Sequence, residues 1–403
     1  MSIKNIGKQI FNKVPEVTLF FWIVKVLCTT VGETFADFLN VNLNFGLTKT
    51  SVVMGILLII ALFFQFRAKK YVPVIYWIVV VFISVFGTLV TDNLTDKMGV
   101  PLETSTIIFT ILLLLTFSLW YAKEKTLSIH SIYTTRREVF YWLTILFTFA
   151  LGTASGDLMA ESLGLGYLVT GIIVAVVIAI VVVAQKLKLN PVLSFWIIYI
   201  MTRPLGASIG DLLSQPTKFG GLGLGATLTS VIFLVAIAGI VIYFTVSKRD
   251  VITTEKSEEK KDTEGKGLIG QTVITVVLFI VVGGGAYFWR HNALQNETKQ
   301  SVSKGVSGKN TLTSPLGDMS VFTKISEDTR ALVVANDLAG AKTRVADLEY
   351  EWDNAQSRLK PMNTTKWSEV DNAIDKVLRQ LRAVNPNSQD CKSALDALLA
   401  VLK

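Results

Sequence analysis

Cysteine and histidine are nearly absent, at two each in 403 residues. Cys28 and Cys391 stand at opposite ends of the chain, which excludes a disulfide framework and a Cys-based metal site. His130 lies alone in a polar loop with no second histidine near it in sequence, so it reads as a hydrogen-bonded loop residue and not as a ligand. Charge is scarce too, at 17% against about 25% in an ordinary soluble domain. No phosphate-binding Gly-Lys-Ser/Thr loop, metalloprotease helix motif or serine nucleophile elbow stands out. The expectation is a protein that is no enzyme, takes no cofactor and draws no energy from bound ATP.

Apolar residues fill the space that charge leaves, at 51% of the chain. Stretches of about 20 apolar residues suffice to cross a bilayer. They fall near 15–38, 49–66, 72–95, 103–121, 139–163, 165–184, 192–213, 223–246 and 268–289. The lipid bilayer is thus the first partner. The first stretch lacks a small-residue cleavage site after it, so it is expected to stay as a helix and not to leave as a signal peptide. The net charge of +8 does not point to nucleic acid, because the basic residues sit in the loops between apolar stretches. Eighteen lie in one set of loops and edges, among them Lys13, Arg67, Lys123, Arg137, Lys186 and Lys248. Only Lys49, Lys97 and Lys218 lie in the alternate set. That asymmetry predicts an N-terminus in the cytoplasm of a multi-pass inner or cytoplasmic membrane protein and, after nine crossings, an extracytoplasmic C-terminal domain.

Within the first eight stretches one pattern recurs four times in register: an aromatic, a Trp, nine residues, a Gly, four residues, an Asp. The copies are Phe21-Trp22, Gly32, Asp37; Tyr76-Trp77, Gly87, Asp92; Tyr141-Trp142, Gly152, Asp157; and Phe195-Trp196, Gly206, Asp211. Each copy reads as a helical hairpin, and two crossings per copy make the four repeats parallel about an axis near the membrane normal. Trp reads as an interfacial anchor and Gly as a site of close helix packing. Gly206, two residues after Pro204, also offers a break in its helix. A Trp-to-Asp separation of fifteen residues spans about 22 Å of helix, which places the four Asp in an acidic ring near the outer side.

Further ionisable residues gather around that ring. Glu33 precedes Asp37 by four positions, while Asp96 and Glu161 follow Asp92 and Asp157 by four, so each pair shares a helix face. Two carboxylates so close in a poor dielectric hold a proton between them or meet a cation. Lys25 and Arg203 are the internal counter-charges, with partners expected in neighbouring repeats. Carboxylates within apolar stretches mark an ion, proton or substrate path, and hard cations suit oxygen ligands. Which metal, if any, stays open at this point.

The run from Leu127 to Trp142 and the segments Leu151 to Asp157 and Thr202 to Asp211 resemble a widespread bacterial membrane-protein family built from four copies of a repeat of unknown function. The resemblance covers about residues 14–250. Glu33 departs from it, standing where the other copies have Thr88, Thr153 and Ala207. It implies a membrane-anchored architecture and no particular chemistry.

The expected organisation is all-α: a cytoplasmic N-terminus at 1–14, a four-repeat transmembrane core of eight helices at 15–248, a charged linker at 249–267, a ninth transmembrane helix at 268–289, a polar linker at 290–316 and a small helical bundle at 317–403. Gly283 to Gly285 mark a packing face or a weak end of the ninth span. Acids and bases alternate over the terminal bundle, which predicts no charged binding patch there. The function expected is a transporter or exchanger for a small cation, divalent metals included, or a cationic solute, with proton coupling. The alternatives are a cation channel with an Asp ring, and a sensor or scaffold whose terminal bundle receives an extracytoplasmic protein partner.

Overall fold

A computed structural model describes residues 12–42, 46–214, 221–250, 268–305, 314–360, 362–383 and 385–403. Among these residues the chain is all-helical, with thirteen helices and one isolated bridge between Ser314 and Gly317. The helices are α1 (Leu19–Asp37), α2 (Leu47–Arg67), α3 (Pro73–Asp92), α4 (Leu102–Glu124), α5 (Thr135–Asp157), α6 (Gly166–Lys186), α7 (Pro191–Ser214), α8 (Gly225–Ser247), α9 (Leu268–Gly305), α10 (Ser320–Val334), α11 (Leu338–Leu359), α12 (Thr364–Arg382) and α13 (Ser388–Val401). Nine helical segments, one from each of α1 to α9, are long and apolar enough to cross a membrane among the described residues, which makes this a multi-pass membrane protein. Much of linker 249–267 lies outside the described residues.

The helices that carry the repeated motif start on recognisable signals. Thr18 caps α1 by accepting from the Phe21 amide, and Thr134 caps α5 by accepting from the Arg137 amide. Pro73 opens α3, and Asn190 accepts from the Val192 and Leu193 amides just before α7 opens on Pro191. These four helices form a closed ring in which α1 packs on α3, α3 on α5, α5 on α7 and α7 back on α1. The other four do not fold back as simple hairpins. Each packs chiefly on the motif helix of the following repeat: α2 on α3, α4 on α5, α6 on α7, and α8 on α1. Every repeat therefore lends its second helix to its neighbour, and the circle closes between the last copy and the first. Outward faces such as Ile56, Ile59, Ile111, Val176, Ile180 and Val235 are exposed and apolar, as lipid contact requires.

The repeated Gly sets the ring's spacing. A Cβ at Gly32 would lie 2.8 Å from the Cβ of Ser84, at Gly87 2.8 Å from that of Phe149, at Gly152 2.5 Å from that of Arg203, and at Gly206 2.6 Å from that of Thr29. Each Gly thus receives the residue seven positions after the Trp of the next copy, with no room for a methyl group. Helix α7 continues through Pro204 without a break, and the proline lies close against Gly152 and Gly156 of α5. A Cβ at Gly283, Gly284 or Gly285 would meet nothing within 4 Å, so these glycines serve no close packing among the described residues.

Three motif helices end alike. Directly after Asp37, Asp92 and Asp157 the chain makes a π-helical turn, over Phe38–Asn42, Asn93–Lys97 and Leu158–Ser162. Such wider turns re-aim side chains and recur at functional sites. The terminal helices α10 to α13 bury their own core, in which Trp352 and Trp367 stack 3.8 Å apart beside Phe322, Leu348, Val377 and Leu395. This bundle rests on the end of the ring that carries the π turns, where α11 and α12 meet them.

Candidate functional site: an acidic chamber above a charged plug

Between the ring and the terminal bundle lies a cavity of about 700 Å³. The motif helices bring Glu33, Asp37, Asp92, Asp96, Asp157, Glu161 and Asp211 to its wall. Asp96 is no idle loop residue, because the π turn after Asp92 points it into the same space. Oxygens of Glu33, Asp37 and Asp211 lie within 4.8 Å of one another, an arrangement of hard ligands suited to a cation. Asp211 is buried, whereas Asp37 is exposed to the chamber.

The roof corrects one expectation. Glu349, Asp353, Asp371 and Asp375 of α11 and α12 face the chamber, so the terminal bundle does present a charged patch. Eleven carboxylates line the cavity against two bases, Lys342 and Arg382. The signal was there in the spacing: Glu349 and Asp353, and Asp371 and Asp375, repeat the four-residue interval of Asp92 with Asp96, and α11 and α12 carry it on one face each. Alternating charge along the sequence concealed this one-sided distribution. Burial and the neighbouring Glu349 hold the Asp353 carboxyl well above its ordinary range, and burial with the neighbouring Asp375 does the same for Asp371. Asp375 is pushed up to about 6, chiefly by burial, although Arg379 draws it down. Arg382 forms an ion pair with Glu349 through two hydrogen bonds and thereby stands over Asp37. Roof and wall join directly where the Gln356 amide donates to Glu161 at 2.7 Å, and Glu161 also accepts from the Tyr167 hydroxyl at 3.1 Å.

The floor is a buried cation. Arg203, 1% exposed, donates to Glu33 at 2.6 Å, to the Thr29 carbonyl at 3.3 Å and to the Thr88 hydroxyl. One guanidinium thus ties the fourth repeat to the first and second, and its Nε has no partner. Glu33 and Thr88 occupy the same motif position in their copies, so the residue that breaks the four-fold pattern is the one that holds the arginine.

Lys25 lies one turn further from the chamber and lacks the carboxylate expected for it. Its ammonium sits 3.6 Å from the centre of the Phe149 ring and 4.1 Å from that of Tyr199, and the side chain is 1% exposed. A desolvated cation on a ring face gains about 2 kcal/mol. Burying an ion takes several kcal/mol from its hydration, so the aromatic box offsets only part of the cost.

Beyond Lys25 the aromatic and Trp positions close the ring head to tail. Phe21 meets Trp77 at 5.6 Å between ring centres, Tyr76 meets Trp142 at 5.4 Å, Tyr141 meets Trp196 at 6.2 Å, and Phe195 meets Trp22 at 5.5 Å. Trp77, Trp142 and Trp196 are buried in this closure and are not anchors at a lipid interface. The extended segment 12–18 seals the same end: Lys13 pairs with the buried Glu138 at 2.6 Å, and its amide bonds to the Ile132 carbonyl. Tyr71 donates to Asp250 at 2.5 Å beside it.

Gly206-Ala207-Ser208-Ile209-Gly210 has the letter spacing of a nucleophile elbow, but Ser208 lies inside an unbroken helix and not on a strand-to-helix turn. Neither a curated protein nor a solved structure shows a significant match to the chain. A Repeat of Unknown Function (DUF347) matches it four times, over residues 20–71, 75–126, 140–188 and 194–250, and each match contains one complete Trp, Gly and Asp motif. These matches cover more than half of the 403 residues, and the chain belongs to the family built from that repeat.

Proposed function

We propose that this protein is a membrane carrier for a cation, divalent metals included, or a small cationic solute. The eight helices α1 to α8 form its transmembrane core, α9 is a ninth crossing, and α10 to α13 form a lid over the chamber. The loop charges support an N-terminus in the cytoplasm and a lid on the extracytoplasmic side. The carrying observation is the chamber, with eleven carboxylates from both core and lid around about 700 Å³. A positively charged occupant offsets that concentration of like charge, together with protons on the carboxyls that burial raises.

The closed aromatic end favours a carrier over a channel. A cation leaving the chamber along the ring axis meets Arg203, then Lys25, then four pairs of packed rings. An open cation path has no place for a fixed guanidinium followed by a closed stack of rings, whereas a carrier rearranges around its site. Asp157 with Glu161 is the pair of choice for a coupled proton.

Uptake of Mn²⁺, Mg²⁺, Ca²⁺ and spermidine into proteoliposomes tests this reading. We expect saturable uptake of at least one, with Asp37→Asn and Asp157→Asn reducing it at least tenfold. Absence of flux for all four in protein that retains its fold refutes the carrier. Unitary currents in planar bilayers would replace it with a channel. A chain cut after residue 289 keeps some flux in a carrier, while a scaffold loses all function.

A further inference from the structure

Charge on the ring axis is ordered by motif position. Counting from each Trp, Asp stands fifteen residues on, Glu33 eleven, Arg203 seven and Lys25 three, and all four motif helices run in the same sense. Arg203 is fixed by Glu33, Thr88 and the Thr29 carbonyl. Lys25 is held by two ring faces and by no hydrogen-bond acceptor or carboxylate among the described residues. The positions equivalent to Lys25 are Val80, Ile145 and Tyr199, so it is the single basic residue in its layer. The Tyr199 hydroxyl is likewise buried without a partner.

We propose that Lys25 is a proton-exchange site of this carrier, in series with the Asp157 and Glu161 pair on the chamber side, an inference that rests on the cation-carrier reading above. A lysine gives up its proton where an arginine does not. With Lys25 neutral, the layer between the Arg203 floor and the aromatic closure carries no charge, and a cation passes. With the ammonium restored, the layer repels it. A proton therefore leaves Nζ for water on the aromatic side before the cation crosses, and Nζ takes one back from the Asp157 and Glu161 pair on the chamber side after it, so one N–H bond is broken and one formed for each cation. The fixed guanidinium of Arg203 disfavours proton exit towards the chamber. Exit faces the other way, towards Tyr199 and the Tyr76 and Tyr141 hydroxyls, which lie 2.5 Å apart.

The surroundings of Lys25 contain no competing group of the same kind. Its own helix brings Cys28, and α7 brings Tyr199 and Arg203. Helix α5 brings Phe149 and, further on, Tyr141, while α3 brings Tyr76. The titratable residue of α8, Tyr243, lies against Phe20 on the outer surface. None of these is a carboxylate able to hold the ammonium permanently.

The experiment uses the full chain in proteoliposomes with a pH-sensitive dye inside and Mn²⁺, Mg²⁺, Ca²⁺ or spermidine outside, the membrane potential clamped with valinomycin and K⁺. In the wild type, cation entry is expected to drive a stoichiometric internal pH change. Lys25→Met, close in shape and uncharged, should keep cation entry within about threefold and lose at least nine-tenths of the coupled pH change. Lys25→Arg, a fixed charge, should lose at least tenfold in both. A wild-type proton-to-cation ratio retained in Lys25→Met, or normal transport by Lys25→Arg, overturns the proposal and leaves the carrier intact. Cation entry without any coupled proton in the wild type overturns it too, whether or not the variants fold. Absence of flux for every probe in folded wild-type protein overturns the carrier reading and the proposal together.

Discussion

The two ends of the four-helix ring are built from the same repeat and differ in how strictly they obey it. At the aromatic end every copy plays the same part: one ring from each packs on the Trp of the next, and Phe195 closes the circle on Trp22. At the chamber end the Asp recurs in all copies, yet Glu33 and Arg203 each stand in one copy only, and the acid four residues past the Asp in just two, as Asp96 and Glu161. Packing four copies around an axis is a problem that symmetry solves. Binding and moving a charged species requires unlike neighbours, because four identical carboxylates on an axis merely repel. Duplication accounts for the closure, and divergence within it for the unequal charges at the chamber end.

Arg203→Ala should break this comparison most severely. Removing one partner of a buried ion pair costs about 3–5 kcal/mol, since the remaining charge is left uncompensated. We expect that loss in thermal unfolding in detergent, a smaller one for Lys25→Ala, and partial recovery in Arg203→Ala with Glu33→Gln. Equal losses for the two single variants would show that the asymmetric bridge to Glu33 has no special weight.

The symmetric half is tested at its glycines. Gly32→Ala, Gly87→Ala, Gly152→Ala and Gly206→Ala each place a methyl group within 2.8 Å of a neighbouring Cβ. Overpacking of this kind costs about 1–3 kcal/mol. Gly152→Ala and Gly206→Ala should be the worst, because the first also meets the Arg203 Cγ at 2.6 Å and the second the hydrogen-bonded Thr29 hydroxyl and, at 3.0 Å, the Thr30 backbone nitrogen. Gly239→Ala, with nothing within 4 Å, should be neutral or better. A flat series would remove the argument that this residue sets the helix spacing.

Much of this was legible in the sequence, and the failures are instructive. Register was readable because Trp, Gly and Asp recur without a gap, so the joint location of Asp37, Asp92, Asp157 and Asp211 followed from 1.5 Å per residue. What was not legible was which element each residue would meet. The second helix of a repeat is simply apolar, and nothing in its composition says that it packs on the following copy. Lys25 lost its expected carboxylate for the same reason, since Phe149 stands where the partner of α1 would have to be. The lid's acids escaped notice because their partners across the chamber lie hundreds of residues away.

Lid and core form the comparison that pH can sharpen. Burial at the chamber pushes Asp375 up to about 6 and raises Asp353 and Asp371. A carboxyl raised in the docked state favours docking while it is protonated. That contribution is full below the ordinary carboxylate range and is lost as pH rises through about 6. Hydrogen exchange of α11 and α12 in nanodiscs, corrected for intrinsic rates, should therefore be slower at pH 5 than at pH 8. Asp371→Asn with Asp375→Asn should flatten the difference, and an unchanged contrast in that variant would place the sensitivity elsewhere.

The smallest effect is expected at the joint itself. Gln356 bridges lid to core through one hydrogen bond to Glu161, and a bond to a carboxylate is worth about 1.5–3 kcal/mol when both groups are buried. Here Glu161 is only half-buried and keeps Tyr167 as a second donor, so Gln356→Ala should cost no more than about 1 kcal/mol, in the range of an ordinary hydrogen bond. The same hydrogen-exchange measurement reads it as a uniform speeding of α11 at the lid surface, with the pH contrast preserved. Loss of the contrast in Gln356→Ala would mean that Glu161, and not the lid's aspartates, carries the response, and the asymmetry would then belong to the core alone.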